Sequence, residues 1–511
     1  MGASLTSSVA AAGLFGLPLL FACSYEDRPP QASPDPVASA GSAPVAGSAP
    51  SVDTPTPPGA EAELLGAACD PSREVEDNLA LLVQEPETLA RFSLERVLSH
   101  VLATAGAQLT PAELLQRVFD TENTGASAAF ADGIHCDDAD NPAFAAAPAV
   151  DCPRAEGRLA RSTGLLTPGA PDSFVPIAIV NRFDLTPANV ASCGEYRIVY
   201  AKLSGRTDPA DRVLLIIEAV ALNPERNLSN CRAVAELWAS LPSAPNAQAR
   251  ANLLETFFFA GVGRLQPVLH ASHLGSTGES CDYAAACGQL RVGQGMQEPW
   301  QFRQFRLFPA AEHEQGPALK VVPTTATGTL RPAVLTEPPT PGLALLSDNA
   351  SSLAASDVNL IRGFSETFVE AGESAVAGPA APDYEARLTA TTAWSDISTS
   401  LAALVEQLQL SCPPEDPLTP ESLLRRGTAL SCAGCHAPEQ LIASDRKVGC
   451  GVVWPGTDGK THIDEHGQLS SALVDVFLPH RARVLSTFLR ACDVEAIQSH
   501  LQPVRSLPLL K

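Results

Sequence analysis

The sequence predicts an α+β chain of several domains: a helical N-terminal region, a β-rich middle domain and an all-α C-terminal domain. Three observations carry that expectation. Apolar residues recur at helical spacing between Leu79 and Val101. From residue 172, β-branched and aromatic runs alternate with Pro and Gly. Near the C-terminus, Thr419-Pro420-Glu421 opens a capped helix that leads into two closely spaced cysteines and a histidine. The 511 residues are enough for two or three domains.

The chain begins with an apolar run, Val9 to Ala22, with Gly and Pro inside it. It is too short to span a bilayer and suits the apolar part of a signal peptide over residues 1–22. The run ends in Leu20-Phe21-Ala22-Cys23, which resembles a bacterial lipoprotein processing box, although no Lys or Arg precedes Arg28. The resemblance implies lipidation of Cys23, a membrane partner through that anchor and, with Ser24 next, outer-membrane sorting. Ordinary secretion is the alternative. Residues 23–60 then read as a disordered tether, because Pro29 to Pro58 is mostly Ala, Ser, Pro and Gly and cannot bury enough surface to offset ordering entropy.

Residues 61–171 read as helical. Leu79, Leu82, Val83, Phe92, Val97, Leu98 and Val101 keep a helical period, and Thr110-Pro111-Ala112-Glu113 is a capping box with proline at the first helical position. Asp137, Asp138 and Asp140 lie in a polar stretch, but the spacing lacks the EF-hand glycine and terminal glutamate, so a solvated loop is expected. Residues 172–335 read as an α+β domain. Strands are expected at 174–179, 196–203, 213–222, 288–293 and 300–308, with helices at 231–241 and 247–260. NRFDL at Asn181 to Leu185 and CGEYRIVY at Cys193 to Tyr200 resemble segments of exported bacterial proteins of unassigned activity. Residues 310–345 are rich in Pro, Thr and Gly and either link domains or cross the sheet as extended segments. Residues 336–411 read as a second helical region, with helices near 357–368 and 393–409.

The net charge of −23 argues against a nucleic-acid partner. Thirteen cysteines suit an oxidising compartment. Setting aside Cys23 and the two near the C-terminus leaves ten, enough for five disulfides; Cys281 with Cys287, Cys136 with Cys152 and Cys193 with Cys231 are plausible pairs, and one of Cys412, Cys450 and Cys492 can reach back to Cys69. No HExxH, GxSxG, P-loop or GxGxxG with an acidic partner is present. His270 and His273 are two residues apart with Ser272 between them, and Asp184, Glu195 and Glu218 read as partners of Arg182, Arg197 and Arg212 rather than as a catalytic cluster. No catalytic site is assigned.

The narrowest chemical signal is Cys432-Ala433-Gly434-Cys435-His436. Two thiols two residues apart, with histidine next, match the attachment spacing of c-type haem: the thiols can add to the haem vinyl groups and the histidine can ligate iron. A structural disulfide, or a zinc site completed by further ligands, uses the same cysteines. The stretch LLRRGTALSCAGCHAP, Leu423 to Pro438, resembles the first helix and haem loop of class I cytochromes c. That resemblance covers only the C-terminal segment. It implies a cytochrome-c-like domain over 412–511, covalent haem c on Cys432 and Cys435, His436 as proximal iron ligand, and electron transfer with a redox partner protein. Class I cytochromes c supply a methionine downstream; here none follows the motif. The candidates for the distal position are His480, one of four downstream histidines with His462, His466 and His500, or Met296 from the middle domain; five-coordinate iron is the third possibility. The whole reads as an exported, lipid-anchored haem protein of the cell envelope acting in electron transfer or redox sensing. The rival is a non-haem, disulfide-stapled binding lipoprotein. A haem peroxidase would need an open iron and a distal acid–base group, and the sequence identifies neither.

Overall fold

The chain divides into two compact units, 1–57 and 58–511. A computed structural model describes residues 72–125, 135–136, 153–187, 189–275, 288–297, 300–309, 319–324, 346, 349–361, 374–377, 389–390, 394–408, 410–430, 435–436, 438, 442, 444–456 and 461–491, all in the second unit. The signal run, Cys23, the tether, the Asp137–Asp140 loop, Cys69, Cys152, Cys281, Cys287, Cys432 and Cys492 lie outside the described residues.

An antiparallel sheet organises the unit. Its strands are β1 (Leu82–Val83), β2 (Phe174–Arg182), β3 (Ser192–Lys202), β4 (Val213–Leu222), β5 (Gln289–Gln294), β6 (Trp300–Pro309) and β7 (Leu319–Thr324), each hydrogen-bonded to the next, and β8 (Ser374–Ala377) pairs with part of β6. The longer helices are α1 (Leu94–Thr104), α2 (Pro111–Asp120), α3 (Leu228–Ser240), α4 (Ala247–Glu255), α5 (Trp394–Leu408), α6 (Pro420–Ala429) and α7 (Leu478–Ala491). Their starts follow local chemistry. Ser93 Oγ caps α1, and Thr110 with Glu113 forms the reciprocal capping box of α2. Thr419 caps α6 with Pro420 in its first turn. The expected middle strands form within a few residues of the expected bounds, and β7 crosses the Pro-rich 310–345 stretch.

The separation into a helical N-terminal region, a β-rich middle and an all-α C-terminal domain does not hold. Leu82 and Val83 pair with Val180 and Ile179, so the N-terminal region supplies a strand of the sheet. Phe92, Val97, Leu98, Leu114, Leu115 and Phe119 share one apolar core with the sheet residues Ile179, Tyr196, Ile198 and Leu215. From the C-terminal segment, Leu473, Leu478, Leu485, Phe488 and Leu489 enter that same core, and Phe488 meets Phe183 with ring centroids 4.8 Å apart. A second core joins Leu346, Leu353 and Ile361 to Ile397 and Leu401 of α5, Leu423 and Leu424 of α6, and Val448 and Trp454. The C-terminal segment therefore divides between two cores, and it contains β-bridges at Lys447–Val453 and Ile463–Leu469 as well as helices. The physical reason is that an amphipathic stripe specifies a buried face but not its partner. The stripes of α1, α2 and α7 are covered by the sheet and its neighbours, with α1 and α2 also packed on each other.

Two disulfides brace this arrangement. Cys193–Cys231 joins β3 to α3, as the sequence spacing suggests, and Cys412–Cys450 spans α6. Cys136 is also disulfide-bonded.

Candidate functional site

Side chains alternate across a strand, so each sheet face takes every second residue. One face carries Ile179, Tyr196, Ile198, Tyr200, Leu215 and Ile217 and is fully covered: Tyr196 stacks on Trp238 of α3 at 5.5 Å, and Tyr200 Oη donates to Phe92 O at 2.9 Å. The other face carries Val180 and Arg182 on β2, Arg197 and Val199 on β3, Leu214 and Ile216 on β4, and Arg291 on β5. These residues floor a cavity with an empty volume of about 670 Å³, counted to its solvent-open mouth. Its other walls are His436, Thr461, His462, Ile463, Leu473 and Arg481, all from the C-terminal segment.

His436 and Cys435 follow α6, whose position is set by Arg426. This guanidinium is buried and donates to four backbone carbonyls: Leu353 O and Ala355 O at 2.7 Å, Val448 O at 2.8 Å and Gly449 O at 2.6 Å. Burial pushes its pKa down to about 10 against the pull of Asp416. A Cβ at Gly449, where φ is +81°, would stand 2.4 Å from Ser422 Oγ, so a glycine is needed for the loop to close on α6.

His462 is delivered by a tight turn. Asp464 Oδ1 accepts from His466 N–H at 2.9 Å and Gln468 N–H at 2.8 Å, and Gly467 takes φ +82°. The turn is tied to the sheet by Arg212–Glu465 at 2.6 Å and by Gln84 Nε2 donating to Gly467 O at 2.6 Å. His462 Nδ1 lies 3.1 Å from Ser470 Oγ, and Phe477 packs edge-on to the ring at 5.3 Å.

The rings of His436 and His462 are 5.0 Å apart between centroids, inclined at 46°. Ligand atoms of Cys435, His436 and His462 all lie within 4.8 Å of one another. Burial, reinforced by positive charge from His436 and Arg481, lowers the His462 pKa well below the ordinary imidazole range. His462 is therefore a neutral lone-pair donor at physiological pH.

Arg182, Arg197 and Arg291 of the floor and Arg481 of the facing wall are all paired with carboxylates. Arg182 holds Asp184 at 2.9 Å; Arg197 holds Glu195 at 2.6 Å and Glu218 at 3.3 Å; Arg291 holds Glu218 at 3.3 Å; Arg481 lies 3.9 Å from Asp184. Among the described residues, four guanidinium groups thus meet three carboxylates. For Glu218, burial alone would raise the pKa, but Arg197 and Arg291 outweigh it and the pKa is lowered. For Arg481, burial and then neighbouring Arg182 lower the pKa well below the ordinary value. An anion at the cavity would relieve that strain on charge. Arg212, expected in this network, pairs with Glu465 instead.

The sequence-predicted residues are thus distributed unevenly. Cys435 and His436 stand at the cavity, and Cys432 lies outside the described residues. His480 is buried on α7 and is not among the residues lining the cavity. Met296 is also away from it: its backbone N–H donates to Glu156 at 3.0 Å and its sulfur lies 3.8 Å from Arg158 Nη2. His273 is buried beside His270, with Nδ1 3.1 Å from Val268 O. Sequence reading named His462 only as one of four downstream histidines and Arg182 and Arg197 only as ion-pair partners; Arg291, Arg481 and the cavity that these residues share were not anticipated. The local signal for His462 is the Asp464–Gly467 turn that reverses the chain behind it; for the floor it is the i, i+2 spacing of Arg with apolar residues on β2 and β3. No family model, curated protein or solved structure matches this chain. Among the described residues no helix is long and apolar enough to cross a membrane.

Proposed function

We propose that this chain is an exported, lipid-anchored c-type haem protein that carries single electrons or senses redox state at the cell envelope, with a protein redox partner. The observation that carries the reading is the Cys432-Ala433-Gly434-Cys435-His436 run, whose His436 lines the cavity and whose Cys435 lies beside it. The donor set fits: two thiols for thioether bonds and an imidazole for iron. The walls fit too. Val180, Val199, Leu214, Ile216, Ile463 and Leu473 are apolar, and the arginine surplus complements two propionates. A haem held there would supply a one-electron iron couple. The chain's own contribution is to hold Cys435 and His436 in the segment that follows α6, to exclude water with the aliphatic floor and to balance carboxylate charge with Arg182, Arg197, Arg291 and Arg481. Export is supported by the Val9–Ala22 run ending at Cys23 and by the disulfides Cys193–Cys231 and Cys412–Cys450.

Mass analysis of the proteolytic peptide containing Cys432 and Cys435, from protein made in a cytochrome-maturing host, tests the reading. A peptide carrying one haem on both thiols is expected; an unmodified or internally disulfide-bonded peptide opposes it. Acylated Cys23 is expected at the mature N-terminus of the same preparation.

A second reading has its own observation. Cys435, His436 and His462 cluster tightly enough to hold a bare metal ion, and Cys432 would complete a four-ligand zinc set. The protein would then be a disulfide-stapled, non-haem envelope protein. Stoichiometric zinc without covalent haem in purified protein would establish it.

A further inference from the structure

We infer that Cys435, His436 and His462 hold a divalent ion of the zinc type, and that its fourth position takes a small oxyanion, a carboxylate or a phosphate, gripped by Arg291 and Arg481. The inference rests on the bare-metal reading above and changes one element of it: an exchangeable anion stands where Cys432 would otherwise close the set.

Geometry is the first ground. Donors about 2.0–2.3 Å from one tetrahedral zinc ion lie about 3.3–3.8 Å apart. The ligand atoms of Cys435, His436 and His462 all lie within 4.8 Å of one another, and the two rings are 5.0 Å apart at 46°. The same closeness leaves no room for a porphyrin between the two imidazoles, so the group that this cluster fits as it stands is a single ion. One thiolate and two imidazoles suit zinc, and three protein ligands with one exchangeable position is the arrangement of a catalytic rather than a structural zinc site.

The second ground is how His462 is held. A metal-ligating histidine engages its other ring nitrogen in an outer hydrogen bond that fixes tautomer and orientation. Ser470 Oγ meets His462 Nδ1 at 3.1 Å, which leaves Nε2 as the ligating atom. Ser470 is itself fixed, because its N–H donates to His462 O at 3.0 Å and its Oγ accepts from Leu473 N–H at 3.2 Å. Phe477 packs edge-on to the ring and restrains its rotation.

The third ground is charge. A divalent ion with one thiolate and two neutral imidazoles keeps one positive charge. His436 and His462 line the same cavity as Arg291 and Arg481. Both arginines have donors to spare among the described residues. Arg291 Nε is buried without a hydrogen-bond partner. The Arg481 side chain is 11% exposed, and its ion-pair partner Asp184 stands 3.9 Å away, beyond hydrogen-bond reach. An oxyanion between the ion and these guanidinium groups neutralises the first and accepts hydrogen bonds from the second. The cavity opens to solvent, so the anion can exchange, and the ion polarises the oxygen that it holds.

The experiment uses full-length protein purified without haem and loaded with cobalt(II), a coloured substitute for zinc. Cobalt should bind one to one, with a sulfur-to-metal charge-transfer band and the visible bands of a four-coordinate ion. Titration with phosphate, and separately with acetate, should shift the visible bands to saturation; the anion that half-saturates at the lower concentration names the class. Arg481→Gln should raise that concentration about tenfold or more with cobalt still bound; Arg291→Gln serves if that variant does not accumulate. Ser470→Ala should weaken cobalt binding about 10–100-fold, and His462→Ala should weaken it further. Visible bands that neither anion moves, or an arginine variant with an unchanged half-saturation concentration, overturn the inference while leaving the metal reading standing. A wild type that binds no cobalt, or a His462→Ala or Ser470→Ala protein that holds it as tightly as wild type, overturns the metal reading at these residues, and this inference with it.

Discussion

On β3, Tyr196, Ile198 and Tyr200 take one face of the sheet, and Glu195, Arg197 and Val199 take the other; the two faces are furnished for different tasks. The first is closed by aromatic packing: Tyr196 meets Trp238 and Phe257, and those two rings meet each other at 6.0 Å. The tyrosine hydroxyls there find Cys193 O and Phe92 O at 2.8 and 2.9 Å, and the Trp238 indole N–H is buried among the rings without a hydrogen-bond partner. The second face is half aliphatic and half ionic, and what covers it is a cavity with histidines on its far wall. Close packing and charge compensation are both ways to bury a sheet. Only the second leaves a cavity among the described residues, and that is where the proposed chemistry is placed.

The two faces should respond differently to mutation. The largest effect is expected on the packed face. Trp238→Ala opens a cavity among rings and should cost about 3–5 kcal/mol of unfolding free energy in denaturant titration, while covalent haem in the surviving folded protein stays spectrally unchanged. A spectral change would mean the faces are coupled.

On the ionic face, Glu218→Gln leaves Arg197 and Arg291 facing each other without their shared carboxylate, which is fully buried. A loss of about 3 kcal/mol is expected in the haem-free protein. The loss should be smaller with haem bound, because the propionates replace the missing charge. An equal loss in both forms would argue that no anion occupies the floor.

How much of this contrast was legible beforehand follows from what each kind of signal encodes. Strand identity was legible at 174–179, 196–203 and 213–222, close to the observed Phe174–Arg182, Ser192–Lys202 and Val213–Leu222, because β-branched density and Pro/Gly punctuation are local. The α2 capping box and the Thr419–Pro420 start of α6 were legible for the same reason. The Cys435–His436 pair was legible because the spacing of the Cys432–His436 run is a local feature. What could not be read was adjacency. Leu82 and Val83 fit a helical period yet pair with β2, 96 residues away at Val83 to Ile179. α7 looks like the last helix of a self-contained domain yet packs Phe488 on Phe183. His462 sits 26 positions after His436, in a turn whose sequence says only that the chain reverses. Long-range burial chose the partner in each case, and no local pattern encodes it.

A pH effect of intermediate size is expected from the core. Burial lowers the His273 pKa from 6.5 to about 4. A base with a depressed folded-state pKa costs nothing above its unfolded value. As pH falls below about 6.5 the unfolded chain takes up a proton that the folded chain refuses, so stability declines until about pH 4, by about 3 kcal/mol at most. Burial of neutral His462 acts in the same direction. His273→Gln should flatten the decline measured by urea titration across that window; an unchanged slope would assign the acid sensitivity to the cavity side instead.

The smallest effect is expected at the periphery of the packed face. Thr110→Ala removes the cap of α2 and should cost about 1 kcal/mol with no change at the cavity.

The central claim, that Cys432, Cys435 and His436 carry covalent haem over the ionic face, is tested most directly by a pyridine haemochrome spectrum. Full-length protein from a cytochrome-maturing host is measured beside Cys432→Ser/Cys435→Ser. A c-type haemochrome, resistant to acid–acetone extraction in the wild type and absent from the double variant, is the predicted result. A wild type with no haemochrome, or one whose haem is extracted by acid–acetone, contradicts the account.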